Sequence, residues 1–223
     1  MNLKRSMFYD TDDQGRISFR GKYLNEFKEE EYVTHIKAIT VSGFKGKNLQ
    51  KLSESFPAVE RLTIEKTSNL ISLEGIEKWT NLGELRIEDC SKLEDLSGLK
   101  YLNNLKLVNL EKFTNAVNVI QFLSSSELRE LYLNDNLLDF DLISEIRGLE
   151  VISLEGYDSE RVELPLLPTI SKSFGISGFK KLQSAKFLAN QPAEIRIRWW
   201  GPEKVTGVPE HLYNHDGLKK LTS

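Results

Sequence analysis

The stretch LGELRIEDCSKLEDLSGL, from Leu82 to Leu99, has apolar residues at Leu82, Leu85, Ile87, Cys90, Leu93, Leu96 and Leu99. Its first half alternates with the two-residue period of a strand and its second half steps by three, so the chain must leave a strand and coil back with one face always inward. One such coil cannot stand alone. Its apolar side chains stabilise it by far less than the conformational entropy of about 22 residues opposes, so it needs copies above and below.

The copies are present. With one strand residue of each as marker, the chain reads Ile39, Leu62, Leu85, Leu105, Leu131, Ile152, Phe174 and Ile195, at spacings of 23, 23, 20, 26, 21, 22 and 21. A second apolar residue follows each marker by two: Val41, Ile64, Ile87, Leu107, Leu133, Leu154, Ile176 and Ile197. Chance would not hold both the period and the inner spacing. With its L-x-x-L-x-L-x-x-C units over residues 36–200, the sequence resembles the leucine-rich repeat family. The resemblance implies an α/β solenoid, a curved right-handed coil with a concave parallel sheet and short convex helices or turns.

The expected organisation is an N-terminal cap over 1–35, an array of about eight repeats over 36–200 and a C-terminal cap over 201–223, together one domain. Ile17 and Phe19 lie one period upstream of Ile39 and Val41, so RISFR is either a degenerate capping strand or part of a hairpin packed on the end, with the acidic KEEEY toward solvent. KNLQKLSESF ahead of Pro57 predicts a short helix stopped by proline. In NAVNVIQFLSSSEL, Ala116, Val119, Ile120 and Leu123 fall at helical intervals and predict another. Pro165 and Pro168 in ELPLLPTI favour an extended segment. GLKKL in the tail could open one more strand.

The family usually carries asparagine just past the strand, where its side chain bonds neighbouring turns. Here the resemblance assigns that place to Thr67, Cys90 and Asn136, and elsewhere to Phe44, Leu110, Tyr157, Phe179 and Trp200. Only Asn136 is expected to be buried and satisfied in the usual way.

Candidate chemistry is sparse. Cys90, the single cysteine, falls at an inward position and reads as a buried hydrophobe, not a nucleophile. His211 and His215 in HLYNH lack the acid of a zinc protease and lie among glycine and proline, so no metal site is expected. There is no phosphate loop and no serine elbow. No enzyme and no cofactor are expected. A net charge of −3 without a long basic run argues against nucleic acid or an anionic membrane as partner. No apolar run approaches a membrane span, and the basic opening MNLKRSMFYDTDDQGR lacks the apolar core of a signal peptide. A reducing cytoplasm is the expected compartment.

What remains is surface. Side chains between and just after the two markers of each strand share the concave side and can adapt by substitution to another protein. The candidate partner-binding residues are Glu65, Glu84, Arg86, Glu88, Asp89, Lys106, Glu130, Tyr132, Asp135, Glu155, Arg196, Arg198 and Trp199. The middle of this face leans acidic, its C-terminal end is basic and aromatic, and Tyr132 and Trp199 are the anchoring types. The expectation is a bacterial-type protein-binding domain, monomeric when free, whose leading role is that of a cognate inhibitor or immunity protein covering a basic toxin domain. A scaffold or regulatory adaptor that docks an enzyme is the second expectation.

Overall fold

The computed structural model describes residues 8–12, 15–26, 34–112, 118–123, 127–137, 139–156, 159–218 and 221. The chain divides into two compact units, one of residues 1–117 with 125–127, the other of 118–124 with 128–223.

In the first unit, β1 (Phe8–Asp12) and β2 (Arg16–Arg20) form an antiparallel hairpin. From β2 the sheet continues in parallel through β3 (Ala38–Ser42), β4 (Arg61–Glu65), β5 (Glu84–Glu88) and β6 (Leu107–Glu111). Both readings of RISFR therefore hold. β2 belongs to an end hairpin, and it also opens the parallel register, with Ile17 opposite Ile39 and Phe19 opposite Val41. Ile39, Val41, Leu62, Ile64, Leu85 and Ile87 point inward and are all but fully buried.

Return paths in this unit are short. Helix α1 (Gln50–Ser55) buries Leu52 and ends at Phe56, whose backbone turns extended (ψ 74°) ahead of Pro57. Trp79 is buried below it and donates its indole N–H to the Phe56 carbonyl at 2.7 Å. At the family's asparagine position Thr67 does the equivalent work: its hydroxyl accepts the Phe44 N–H at 3.2 Å and donates to the Glu65 carbonyl at 3.1 Å, joining adjacent turns. Cys90 is buried, and burial pushes its thiol up to about 11.

The register corrects the expectation at repeat four. β6 aligns Val108 with Leu85 and Leu110 with Ile87, so the markers are Val108 and Leu110, not Leu105 and Leu107. Leu105 is the fully buried counterpart of Leu82, three residues ahead of the marker, and Leu107 starts the strand. The irregular spacings of 20 and 26 become 23 and 23. The asparagine position there passes from Leu110 to Phe113, outside the described residues.

The second unit holds β7 (Glu130–Asn134), β8 (Val151–Glu155), β9 (Ser173–Ser177) and β10 (Arg196–Trp200), again parallel. Helix α2 covers Ile120–Leu123, with Val119, Ile120 and Leu123 buried; Ala116 lies outside the described residues. The Asp139 carboxylate accepts the Val119 and Gln121 N–H groups at 2.9 Å, tying the start of α2 to the 3-10 turn Phe140–Glu145. The segment with Pro165 and Pro168 has no helix, as its prolines require. Buried Gln191 fastens it, accepting the Ile170 N–H at 3.1 Å and donating to the Pro168 carbonyl at 2.9 Å.

A second correction falls at β10. Ile197 pairs with Phe174 and Trp199 with Ile176, so the inward pair is Ile197 and Trp199 in place of Ile195 and Ile197. Asn136 is half-buried, less enclosed than expected. Tyr157 lies outside the described residues. In the tail, Gly217 and Leu218 belong to a 3-10 turn where a strand was a candidate, and Lys219 and Lys220 lie outside the described residues. That turn closes on β10 so tightly that a Cβ on Gly217 would come 2.2 Å from the Ile197 carbonyl oxygen. The two histidines are brackets for it. His211 Nε2 meets the Gln191 carbonyl at 2.8 Å, and His215 Nε2 meets the Ile195 carbonyl while its Nδ1 accepts the Gly217 N–H at 3.0 Å. With Nδ1 accepting, Nε2 is the nitrogen that donates to the Ile195 carbonyl.

Candidate functional site

Parallel strands in register put residues one, three and five of each strand on the solvent side of the sheet, in rows about 4.8 Å apart from strand to strand. In the first unit the fifth-residue row runs Arg20, Ser42, Glu65, Glu88, Glu111. Its last three members are half-exposed carboxylates lying side by side. Glu84 and Arg86 occupy the first and third places of β5, so Glu65, Glu84, Arg86 and Glu88 are brought together as expected. Asp89 follows at once, exposed, in the left-handed region at φ 56°. Lys112 pairs with Glu88, whose carboxylate raises the pKa of that ammonium.

At the other end of this unit, Ser18, Thr40, Ser42, Arg20 and Lys66 line a shallow recess of about 570 Å³ on the same side of the sheet. It is rich in hydroxyls. No aromatic face is presented into it from a solvent-facing strand position, since Phe19 is buried at an inward one.

In the second unit the corresponding rows are Glu130, Val151, Ser173, Arg196, then Tyr132, Ser153, Gly175, Arg198, then Asn134, Glu155, Ser177, Trp200. Glu130 and Tyr132 stand on β7, and the Tyr132 hydroxyl donates to the Glu130 carboxylate at 3.0 Å. Glu155 stands on β8, and Arg196 and Arg198 are exposed on β10.

Three expected site residues belong elsewhere. Lys106 is exposed but precedes β6, because the strand begins at Leu107; Asn109 holds the place beside Arg86. Trp199 faces inward, stacked on Phe187 at 6.3 Å between ring centroids and 11° between planes, with its indole N–H donated to the Pro202 carbonyl at 3.0 Å. Asp135 is only 9% exposed; its carboxylate accepts the Ser159 hydroxyl and lies 3.8 Å from the Arg161 guanidinium. It supports the turn after β7 and is not presented to a partner.

The same register adds two residues that the sequence reading did not place on this face, Glu111 and Trp200, the latter 64% exposed. A signal for the first existed. In most repeats a third apolar residue stands three before the marker, as in Ile36, Val59, Leu82, Leu128 and Leu149, and Leu105 fits only that place. Among the described residues there is no cluster of three or more metal-ligating side chains, and no helix is long and apolar enough to cross a membrane.

The chain has the leucine-rich repeat fold. An internalin (InlF) from Listeria monocytogenes str. 4b F2365 is similar over 97% of this chain at 16% identity and a TM-score of 0.54. This chain spans 66% of that one. Internalin C2 from the same organism aligns over 86% of this chain and 81% of its own at 12% identity and a TM-score of 0.45. No family model matches the sequence, and no curated protein matches it.

Proposed function

We propose that this protein acts without chemistry of its own, as a cognate inhibitor that covers a basic toxin domain in the cytoplasm with the solvent side of its first-unit sheet. The observation that carries the reading is the row Glu65, Glu88 and Glu111, in register on β4, β5 and β6. Like charges directly opposite one another on neighbouring strands are destabilising, and Lys112 offsets only part of the repulsion. The fold gains nothing from such a row. A cationic partner relieves it, is steered to it from a distance and is held by it on contact. The acids at Glu84 and Asp89 extend the same field.

The test is to use the protein as bait in lysate of its source and identify what it retains. The expected capture is a basic protein that arrests growth when expressed alone and ceases to do so when this chain is co-expressed. Glu88→Lys with Glu111→Lys should weaken capture by about two orders of magnitude or more, because both the steering field and the contact charges reverse. Convex-side Lys92→Glu should leave it unchanged. A captured enzyme that is harmless alone and keeps its activity in the complex would replace the inhibitor reading with that of an adaptor.

A further inference from the structure

In the second unit, β10 presents chemistry of the opposite sign. Arg196 and Arg198 are exposed on the same side of β10, and among the described residues neither has an ion pair. Elsewhere some basic side chains do meet an acid about one repeat away, as in Lys37 with Glu60, Lys172 with Glu150 and Lys181 with Glu160, so these two guanidiniums stay open to an outside acid. Trp200 continues the same line and is 64% exposed, the most exposed large hydrophobic side chain among the described residues. Beside this line β9 offers only Ser173, Gly175 and Ser177, so nothing from the neighbouring strand covers the guanidiniums or the indole. Gly175 is itself closed in, since a Cβ there would lie 3.1 Å from the Ser153 hydroxyl. The floor is low, and the wall along β10 is basic and then aromatic.

We propose that the solvent side of β9 and β10 is a docking surface for an extended, carboxylate-rich peptide segment of a partner protein. Alternate residues of β10 stand about 6.6 to 7 Å apart, which is also the spacing of alternate residues in an extended peptide. Acids at two alternate positions can therefore meet Arg196 and Arg198 together, each as a forked guanidinium–carboxylate pair, and an aromatic or aliphatic side chain two residues further lies on the Trp200 ring. Neither guanidinium is engaged by an acid of the chain among the described residues, so both can form such pairs without first breaking one. The surface is independent of the acidic row in the first unit.

The test uses the full chain and three labelled peptides. The first alternates glutamate with threonine over seven residues and ends in phenylalanine; the second has the same composition with its glutamates contiguous; the third replaces each glutamate with lysine. A thymidine oligonucleotide serves as the nucleic-acid arm. Fluorescence anisotropy should show saturable binding of the first peptide, weakening with salt, and weaker binding or none for the others. Arg196→Glu with Arg198→Glu should lower its affinity about tenfold or more. Ser173→Glu, which sets a carboxylate opposite Arg196 within the chain, should compete and lower it severalfold. Trp200→Ala should weaken binding without changing its salt dependence, and Glu88→Lys with Glu111→Lys should change nothing. All these positions are solvent-facing, and circular dichroism checks that each variant is folded. Equal binding of alternating and contiguous acids, unchanged affinity in the double arginine reversal, or tighter binding of the oligonucleotide than of the first peptide overturns the proposal.

Discussion

The two units solve the same packing problem differently. In the first, the inward markers Ile17, Ile39, Leu62, Leu85 and Val108 follow one another at 22, 23, 23 and 23 residues, and polar side chains stitch turns one repeat apart, as Asn48 and Gln50 both do by donating to Glu74 at 2.9 Å. In the second, the markers Leu131, Ile152, Phe174 and Ile197 are 21, 22 and 23 apart, and the return paths are a 3-10 turn, a proline-containing extended run and another short turn. Both interiors bury large rings, Phe19, Phe44, Phe56 and Trp79 in the first and Phe140, Phe174, Phe179 and Phe187 in the second, where Trp199 also stacks on Phe187. Repeats of constant length let each aliphatic marker nest on its copy, whereas repeats of changing length need a different return path each time.

The largest effect should come from the regular core. Leu85 is fully buried with strands on both sides, and Leu85→Ala should lower stability by roughly 2 to 5 kcal/mol through lost burial plus the cavity left behind. Because each repeat rests on its neighbours, hydrogen exchange should accelerate most in β4, β5 and β6. Urea denaturation gives the first number and exchange the second. Uniform loss of protection over all strands would show that the two units do not respond separately.

Next come the adjacent tryptophans of β10, which separate the register from its two-residue alternative. Trp199→Ala removes a ring stacked on Phe187 and should cost about 2 to 3 kcal/mol, while Trp200→Ala should stay within about 0.5 kcal/mol. Were the sequence-based register of repeat eight correct, the two costs would be reversed. This is also where the sequence was hardest to interpret. Repeats two and three were fully legible because Val59, Leu62, Ile64 and Leu82, Leu85, Ile87 leave only one alignment. LNNLKLVNL contains two successive apolar pairs, Leu105 with Leu107 and Val108 with Leu110, and RIRWW puts a tryptophan where an aliphatic marker is sought, so counting pairs chose wrongly in both. The outer rows were legible wherever the inner pair was. Their errors at Lys106 and Trp199 are the same register errors seen from the other face. Asp135 failed for another reason: its burial depends on Ser159 and Arg161, a full repeat away.

A device shared by both units gives the third prediction. Glycine just past a strand accommodates a phenylalanine from the following repeat: a Cβ on Gly21 would lie 2.3 Å from the Phe44 Cα, and one on Gly156 would lie 2.5 Å from the Phe179 ring. Both Ala variants should destabilise, by about 1 to 3 kcal/mol at Gly156, where the buried ring must shift within packed surroundings. Gly21→Ala should be the worse of the two, since it meets backbone that cannot rotate away. Thermal denaturation of the two proteins side by side decides the order, and equal tolerance would mean that the Phe44 turn yields as readily as a ring.

The smallest effect concerns the residue directly after each strand, where the two units differ in kind. The second unit has Gly178 at φ 77° there, whereas the first has Gly43 at φ 62° followed by Lys66, Asp89 and Lys112 at φ 50°, 56° and 56°. A left-handed conformation costs an L-residue about 1 to 2 kcal/mol, while glycine costs about 0.5 to 1 kcal/mol in extra unfolded-state entropy, so replacement by glycine should leave a small net gain. Lys66 is the site to choose, because Lys112 is paired with Glu88 and Asp89 lies within the proposed acidic face. Lys66→Gly keeps the backbone N–H that donates to the Glu88 carbonyl at 3.0 Å and should raise the melting temperature by about 1 to 3 °C. The reverse change in the other unit, Gly178→Lys, should lower it by more than that, because the new Cβ would also sit 3.1 Å from the Gly156 backbone. A fall in melting temperature for Lys66→Gly would mean that the lysine side chain contributes more to the recess beside β3 than its strained backbone takes away.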